Sequence, residues 1–538
     1  MKRLLLFFWV VCFLPSGVIL PASGQSSSLQ FEVSFSGNIH TDVITGRVYV
    51  MISTNNRREP RYQVGVRGVP VWGMNVKNLR PGEGAVIDEQ VFGYPLESIR
   101  DIPAGDYYVQ GFINVYTEFR RSDGHTLWMH QDHWEGQNWR RSEGNLYSKV
   151  MKIHLDPSKS GIIKLVCDHV NPPVKIPEDT KWVKRVRIKS KLLSDFWGQP
   201  MYIGATVLLP KGYDEHPDQY YPVNYQHGHF SLRVPFGFRD DNRQSNYRSR
   251  YGEDFTAFWK SDTCPRFIAV KLLYPCPYYD DSYVVNSPNV GPYDDAVNRE
   301  LIPYLETHFR IIRKSYARIL SGGSTGGWIS LAQQIFHPDF YGGVFSSCAD
   351  PVDFHYYQIV NIYKDKNAYY KEYEWMKIER PDTRRPDGNI SSTMRNENLY
   401  ELVIGDKSRS GGQWDIWEAA FGPVGADGYP QRVWNKRTGE IDHRVAEQWK
   451  KFDLHEYLKN NWSEIGKDLQ GKLFLYTGDM DSYYLNNAME LLGDFLEHTT
   501  NPYYDGRIEY GRKKPHCFGP GSIELVQLIA AQIVFNYR

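Results

Sequence analysis

The chain lacks a charge bias: 63 Lys and Arg stand against 63 Asp and Glu in 538 residues. A neutral total gives no electrostatic reason to expect nucleic acid or an anionic membrane as partner, so partners have to be sought in a site. It also lacks a long uncharged apolar run. The stretch 4–14 holds 11 residues, short of the ~20 that a membrane-crossing helix needs. Cysteine is scarce, six residues in all, and no pair has the spacing of a zinc site. The His-x-x-His from His130 to His133, beside Trp134, Glu135 and Gly136, reads as an ordinary exposed loop. No lipid-anchor signal is present, because Cys12 follows Val10 and Val11 inside the apolar run.

What is there begins with Lys2 and Arg3, the apolar stretch, and the small residues Ala22, Ser23 and Gly24. This is the pattern of a cleavable secretory signal peptide over residues 1–24, and it predicts a secreted or periplasmic protein. Five cysteines then remain, Cys167, Cys264, Cys276, Cys348 and Cys517, and an odd number leaves at least one thiol unpaired. Aromatic residues make up 15% of the chain, with 38 Tyr and 15 Trp, which suits ring-stacking surfaces as well as a large core.

From residue 25 to 170 the texture is strands and turns. In DYYVQGFINVYT, Val109, Gly111, Ile113 and Val115 alternate with Tyr108, Gln110, Phe112 and Asn114, the period of two of a strand. TGRVYVMIST, LYSKVMKIHL and GIIKLVCDHV read alike, and the segment is predicted to form a β-sandwich domain. NPPVKIPEDT, residues 171–180, carries three prolines and makes a stiff linker. From 181 to 538 strands alternate with helices, the sign of an α/β sheet. YIGATVLLP, YPVNYQHG and RFIAVKLLYP have buried-strand length, and Val297, Leu301, Leu305 and Phe309 form a helical stripe with a kink expected at Pro303. Residues 352–470, rich in Tyr, Trp, Arg and Lys, break this rhythm and are predicted to form a mostly helical cap inserted in the sheet domain. KLFLYTG then resumes the strand pattern, and SIELVQLIAAQIVF reads as a final helix.

The segment ILSGGSTGGW, residues 319–328, raises the question of chemistry. A phosphate-binding P-loop needs Lys after its last glycine, where Trp328 stands, and the dinucleotide fingerprint needs glycine where Ser324 stands. Gly322-Gly323-Ser324-Thr325-Gly326 does fit G-x-S-x-G. By itself that pentapeptide suits a packing turn as well as a strained nucleophile; a strand before it and a helix after it favour the nucleophile. A serine elbow requires an acid and a base downstream, in that order. Asp479 and Asp481 follow KLFLYTG, and His516 lies in KKPHCFGPGS before the last helix. The G-x-x-D spacing favours Asp481 as the acid, with Asp479 holding the turn. His498, at the end of a helical stretch, reads as a surface or capping residue. The N–H of Thr325 and that of His229, after the turn YQHGHF, are the candidate donors to an oxyanion, and His227 reads as packing that turn.

From about residue 180 the chain resembles the esterase family of α/β-hydrolases that includes esterase D, feruloyl esterases and enterochelin esterases. The matching pieces are LLPKGYD followed by YPVNYQHG, ELIPYLETHFR, GGSTGGW and HPDFYGGVFSSCADP. The resemblance implies an α/β-hydrolase sheet and hydrolysis of a carboxylic ester through an acyl-enzyme. It implies Ser324 as nucleophile, His516 as base, Asp481 as acid, and Thr325 and His229 as oxyanion donors, with no cofactor and no metal. The expected partner is a small-molecule or saccharide ester. Two rivals are a serine peptidase of the prolyl-peptidase-like type, which a non-propeller N-terminal domain disfavours, and a non-catalytic binding protein on a hydrolase fold. In the cap, Tyr356, Tyr357, Tyr369, Tyr370, Trp375, Trp414 and Trp417, with Arg380, Arg384 and Arg385, are able either to select substrate or to form the cap's own core.

Overall fold

The structure is a computed structural model that describes residues 28–240 and 254–537; the signal peptide expected at 1–24 lies outside the described residues. Among them, no helix is long and apolar enough to cross a membrane.

The N-terminal strands alternate as their side chains demand. Leu29–Phe35 buries Leu29, Phe31, Val33 and Phe35 and turns the residues between them outward. Gly105–Val115 is the centre of a nine-stranded sheet. It pairs antiparallel with Ile44–Ser53 on one side and with Leu146–Ser148 and Met151–Leu155 on the other. Leu146–Ser148 passes the hydrogen bonding on to Gly161–Val170, which runs parallel to Leu29–Phe35. Phe31, Val33 and Leu165 of these outer strands share one core with Val48, Val50, Val109 and Ile113. Both halves contribute to one core, and the ladder between them is continuous through a three-residue strand, so they form one sheet by hydrogen bonding. Packing also crosses the expected boundary at 170. The hairpin Thr117–Arg120 and Thr126–Met129 buries Phe119, Leu127 and Met129 in the core of the following domain, with Trp197.

The second sheet has eight strands, numbered here within it: β1 Val183–Ser190, β2 Met201–Leu208, β3 Val223–His227, β4 Ile268–Leu273, β5 Arg318–Gly323, β6 Gly343–Ser347, β7 Leu473–Gly478 and β8 Arg507–Gly511. Their order is β1-β2-β4-β3-β5-β6-β7-β8. β1 and β2 lie antiparallel at one edge, and the others run parallel. This is the α/β-hydrolase arrangement. The parallel strands β3 to β7 are mostly buried, as a sheet covered on both faces requires, whereas the edge strand β8 is half-buried to exposed apart from Gly511. Val297, Leu301 and Leu305 are fully buried on the expected stripe; the distortion falls at Ala296–Leu301, a π-helical turn just before Pro303.

The 352–470 segment contains four α-helices, Met394–Ile404, Gln413–Phe421, His443–Trp449 and Leu454–Leu469, and strands that the sequence did not lead one to expect. It opens with two hairpins, Tyr370–Tyr373 with Met376–Glu379 and Pro381–Arg384 with Ile390–Thr393. Tyr357, Trp414, Trp417, Phe421, Trp434 and Trp449 lie in one core with the sheet residues Tyr225, Leu320 and Val344. The insertion is thus fused to the sheet domain, because its rings have no other apolar surface to bury.

Three helices matter for the site: α1 Thr325–Phe336, α2 Met394–Ile404 and α3 Gln413–Phe421. The N-terminal sheet grips the end of α2. Buried Arg47 donates from Nε to Val403 O at 2.9 Å and from Nη2 at 2.7 Å, and the Tyr49 hydroxyl donates to Ile404 O. A cation and a hydroxyl thereby satisfy carbonyls that a helix C-terminus leaves open. Glu401 of the same helix accepts from Trp414 N and Asp415 N, both at 3.0 Å, capping the start of α3. Buried Lys436 pairs with Glu401 at 3.2 Å and Asp415 at 3.0 Å. Arg47→Met should destabilise the protein by about 2 kcal/mol, since buried carbonyls lose their donor. Thermal unfolding would register this as a lower midpoint, and an unchanged midpoint would mean that the grip contributes nothing.

Candidate active site

β5 is buried between β3 and β6, with Gly322 opposite His227 on one side and Ser346 on the other. The chain leaves it through Ser324 at φ 59° and ψ −127° and enters α1 at Thr325. A non-glycine residue there is strained, and it persists only where the surroundings enforce it. They do so by close approach: a Cβ on Gly322 would lie 2.0 Å from Gly326 O, and one on Gly326 would lie 2.1 Å from His227 O. Ser324 N–H donates to Ser347 O at 3.0 Å and faces Cys348 Sγ at 3.3 Å.

His516 Nε2 stands 2.9 Å from Ser324 Oγ, and its Nδ1 stands 2.7 Å from Asp481 Oδ2. Asp481 is fully buried, and its Oδ1 accepts from Tyr483 N at 2.8 Å. Asp479 faces away: its Oδ1 accepts from Lys513 N at 2.6 Å and its own N–H reaches Gly511 O at 3.1 Å, so it ties the acid turn to β8. Of the two carboxylates, only Asp481 meets the imidazole. His498 bonds its own helix at Asp494 O and is exposed. His130 is not the exposed loop residue expected from sequence. It is buried between Asn114 Oδ1 at 2.9 Å and Glu135 Oε1 at 2.8 Å, while His133 is exposed.

Burial opposes the His516 cation, but the hydrogen bond to Asp481, the Cys517 sulfur beside it and both negative charges outweigh burial, so the imidazole is held above its ordinary value. His227 is the reverse case. Its burial alone drives it down to about 3, so it is neutral, with Nδ1 3.0 Å from the Tyr274 hydroxyl. His229 keeps 44% of its side chain exposed. Partial burial works against its charge, yet Asp280 at 3.0 Å, with Asp281 and Asp350 beyond, raises it to about 9. Among the described residues, neither Thr325 N–H nor His229 N–H donates to a protein acceptor.

Several residues at the site had no sequence signal. Asp350, buried after β6, has Oδ1 3.5 Å from Ser324 Oγ and Oδ2 2.9 Å from Thr325 Oγ1. The Tyr283 hydroxyl and Gln413 Nε2 also donate to it. Burial pushes this carboxyl upward, against the pull of those donors. Gln413 is the first residue of α3, so the insertion reaches the residue next to Ser324. Arg384 donates to Asp481 O at 2.9 Å, Asp479 O at 3.2 Å and Asn486 Oδ1 at 2.9 Å, clamping the acid turn. Of the other insertion residues, Tyr357, Tyr369, Trp414 and Trp417 are core, and buried Arg380 pairs with Asp365 at 2.8 Å. Tyr356 and Trp375 are exposed, Tyr370 is half-buried, and Arg385 faces Asp387 on the surface. An open cleft of about 810 Å³ on the insertion, lined by Arg432, Trp434, Arg437 and Arg444 among others, includes none of Ser324, Asp481 and His516.

Residues 200–401 match the family described as Esterase, putative esterase. The chain resembles that family and is a carboxylic ester hydrolase. No curated protein matches it. Among solved structures, the esterase is similar to a ferulic acid esterase, at 15% identity over 66% of this chain and 99% of that one, with a TM-score of 0.39. It is also similar to FphF, a fluorophosphonate-binding serine hydrolase of Staphylococcus aureus (13% identity, 66% and 98% covered, TM-score 0.34). A third is an S-formylglutathione hydrolase from Agrobacterium tumefaciens (10% identity, 67% and 97% covered, TM-score 0.35).

Asp481→Asn is expected to lower kcat by roughly 10³-fold or more, because only the residue bonded to His516 Nδ1 sets its tautomer; Asp479→Asn should stay within about 10-fold of the parent. Steady-state kinetics giving the reverse ranking would move the acid. The pH profile follows from the sign of the His516 shift. A base that must be neutral and has a raised pKa places the rising limb of kcat/KM above that of an unperturbed imidazole near 6.5. With the thiols reduced, Cys517→Ser removes one of the raising groups and should move the limb toward lower pH.

Proposed function

We propose that the chain is a secreted or periplasmic serine esterase that cleaves a small ester, such as an acylated saccharide or a phenolic ester, through an acyl-enzyme on Ser324. The observation that carries this reading is the unbroken line from Ser324 Oγ through His516 to Asp481 at the carboxyl edge of the sheet. His516 takes the proton of Ser324 as Oγ attacks the ester carbonyl, and buried Asp481 stabilises the imidazolium that forms. The N–H groups of Thr325 and His229 hold the oxyanion, with Thr325 kept in place by its side-chain bond to Asp350. Collapse of the tetrahedral species expels the alkoxide, which takes the proton from His516 and leaves the acyl group on Ser324. Water, deprotonated by His516, then releases the acid and restores the serine. The reading includes no metal and no cofactor.

The substrate class is supported by what surrounds the base. Tyr483 packs its ring edge to face on His516 at 4.9 Å and remains 39% exposed, offering an aromatic or sugar ring a stacking surface at the scissile bond. Ser324→Ala should cost roughly 10⁴-fold or more in turnover while the protein stays folded; unchanged ester turnover would eliminate the mechanism. Tyr483→Ala should lower kcat/KM for feruloyl or sugar esters by about 3- to 10-fold, the size of one ring contact, and spare a small aliphatic acetate. Equal losses on both would place substrate selection elsewhere.

A further inference from the structure

Two thiols outside the catalytic line meet beside it. The Sγ atoms of Cys348 and Cys517 and a ring nitrogen of His516 all lie within 4.8 Å of one another. Cys348 follows β6 directly, its N–H donates to Tyr476 O of β7 at 2.6 Å, and its Sγ faces Ser324 N–H. Cys517 is exposed and sits in the loop that carries His516. Both residues have left-handed backbone, at φ 43° and 63°, which non-glycine residues adopt only where something holds them. The other three cysteines, Cys167, Cys264 and Cys276, are buried.

We propose that Cys348 and Cys517 are joined in the working protein by a disulfide that ties the loop of His516 to the strand end behind Ser324. The sulfurs lie within 4.8 Å of each other and would close to the ~2.05 Å of the bond. The thiols divide the work. Cys517 is solvent-reachable and is lowered first by its contact with Cys348 and, against burial, by the His516 cation, so it is the attacking thiolate. Cys348 is pushed up by burial and resolves. The oxidant is itself a disulfide, such as oxidised glutathione or a thiol–disulfide oxidoreductase. Cys517 sulfur bonds to one oxidant sulfur and releases the other as thiol. Cys348, losing its proton, then attacks Cys517 sulfur and expels the second thiol. The two cysteines lose two electrons and two protons, and the oxidant gains them.

The bond would act on His516 as well as on the loop. The groups facing the imidazole are Asp481 and Tyr483 from the acid turn, Asp350 and Cys348 from the end of β6, and Cys517 from its own loop. Oxidation removes the thiolate of Cys517 and leaves the others.

The test compares full-length protein incubated with oxidised glutathione and with a phosphine reductant. Each sample is blocked with N-ethylmaleimide and mapped by mass spectrometry. The expected map links the peptides of Cys348 and Cys517 in the oxidised sample and labels both in the reduced one. The oxidised form should unfold about 5 °C higher, for a long closed loop. Its kcat/KM limb should lie at lower pH than that of the reduced form. Cys348→Ser and Cys517→Ser should each lose the link and the difference between the two conditions. Labelling of both thiols after oxidation would overturn the proposal. So would glutathione lodged on Cys517 without transfer to Cys348, or protection that a chelator reverses and a reductant does not, which would indicate metal ligation. The map reads the bond directly, so its failure is distinguishable from failure of the esterase reading.

Discussion

The backbone of Ser324 is the constraint on which the rest depends. A serine at φ 59° is unfavourable by itself, and it is held by the packing of β5 between two parallel strands, by glycines too close to their neighbours to carry a side chain, and by the start of α1. Because the turn is that tight, Oγ stands clear of the sheet edge, and one imidazole from a distant loop can meet it. The parallel strands also bring β7 two places from β5, so the acid turn after Gly478 and the base loop after Gly511 emerge side by side.

A second chain of contacts runs to the same turn from the N-terminal sheet. Arg47 and Tyr49 hold the carboxyl end of α2, Glu401 on α2 caps α3, and Gln413 at the start of α3 joins Asp350, Tyr283 and Thr325 beside Ser324. Apart from half-buried Gln413, each link is a buried polar group satisfied by the next, and in low dielectric such groups tolerate little displacement. The insertion thus contacts both sheets: its rings lie in the core of the eight-stranded sheet, and Leu399, Val403 and Ile404 pack with Tyr49 and Phe112 of the N-terminal sheet. This is a physical reason for an N-terminal domain that contributes no side chain to the relay itself.

Much of this was legible in the sequence. The apolar runs around YPVNYQHG and RFIAVKLLYP became β3 and β4, and Ser324, Asp481 and His516 were named from a glycine turn, a strand end and a loop histidine. Each carries a local signal: periodicity, turn chemistry or chain order. Asp350, Gln413 and Tyr283 carry none, since they are scattered over more than a hundred residues and converge only through sheet order and the insertion's packing, and Arg384, named only as a possible substrate-selecting or core residue, clamps the acid turn instead. The two hairpins of the insertion were not foreseen for a related reason. Tyr, Arg and Lys at 370–384 suit a hairpin or a helix, and tertiary pairing decides between them. The continuous ladder of the N-terminal sheet depends on Leu146–Ser148, a strand too short to leave a periodic mark. His130 was likewise taken for a surface residue because a loop position says nothing of what packs over it.

The central claim, that Ser324 is activated by His516, is tested most directly by reacting the folded protein with a fluorophosphonate and mapping the adduct. The account predicts one modified peptide, that of Ser324, and its loss in a folded His516→Ala protein. A label on another serine, or a folded wild-type protein that takes none, would contradict it.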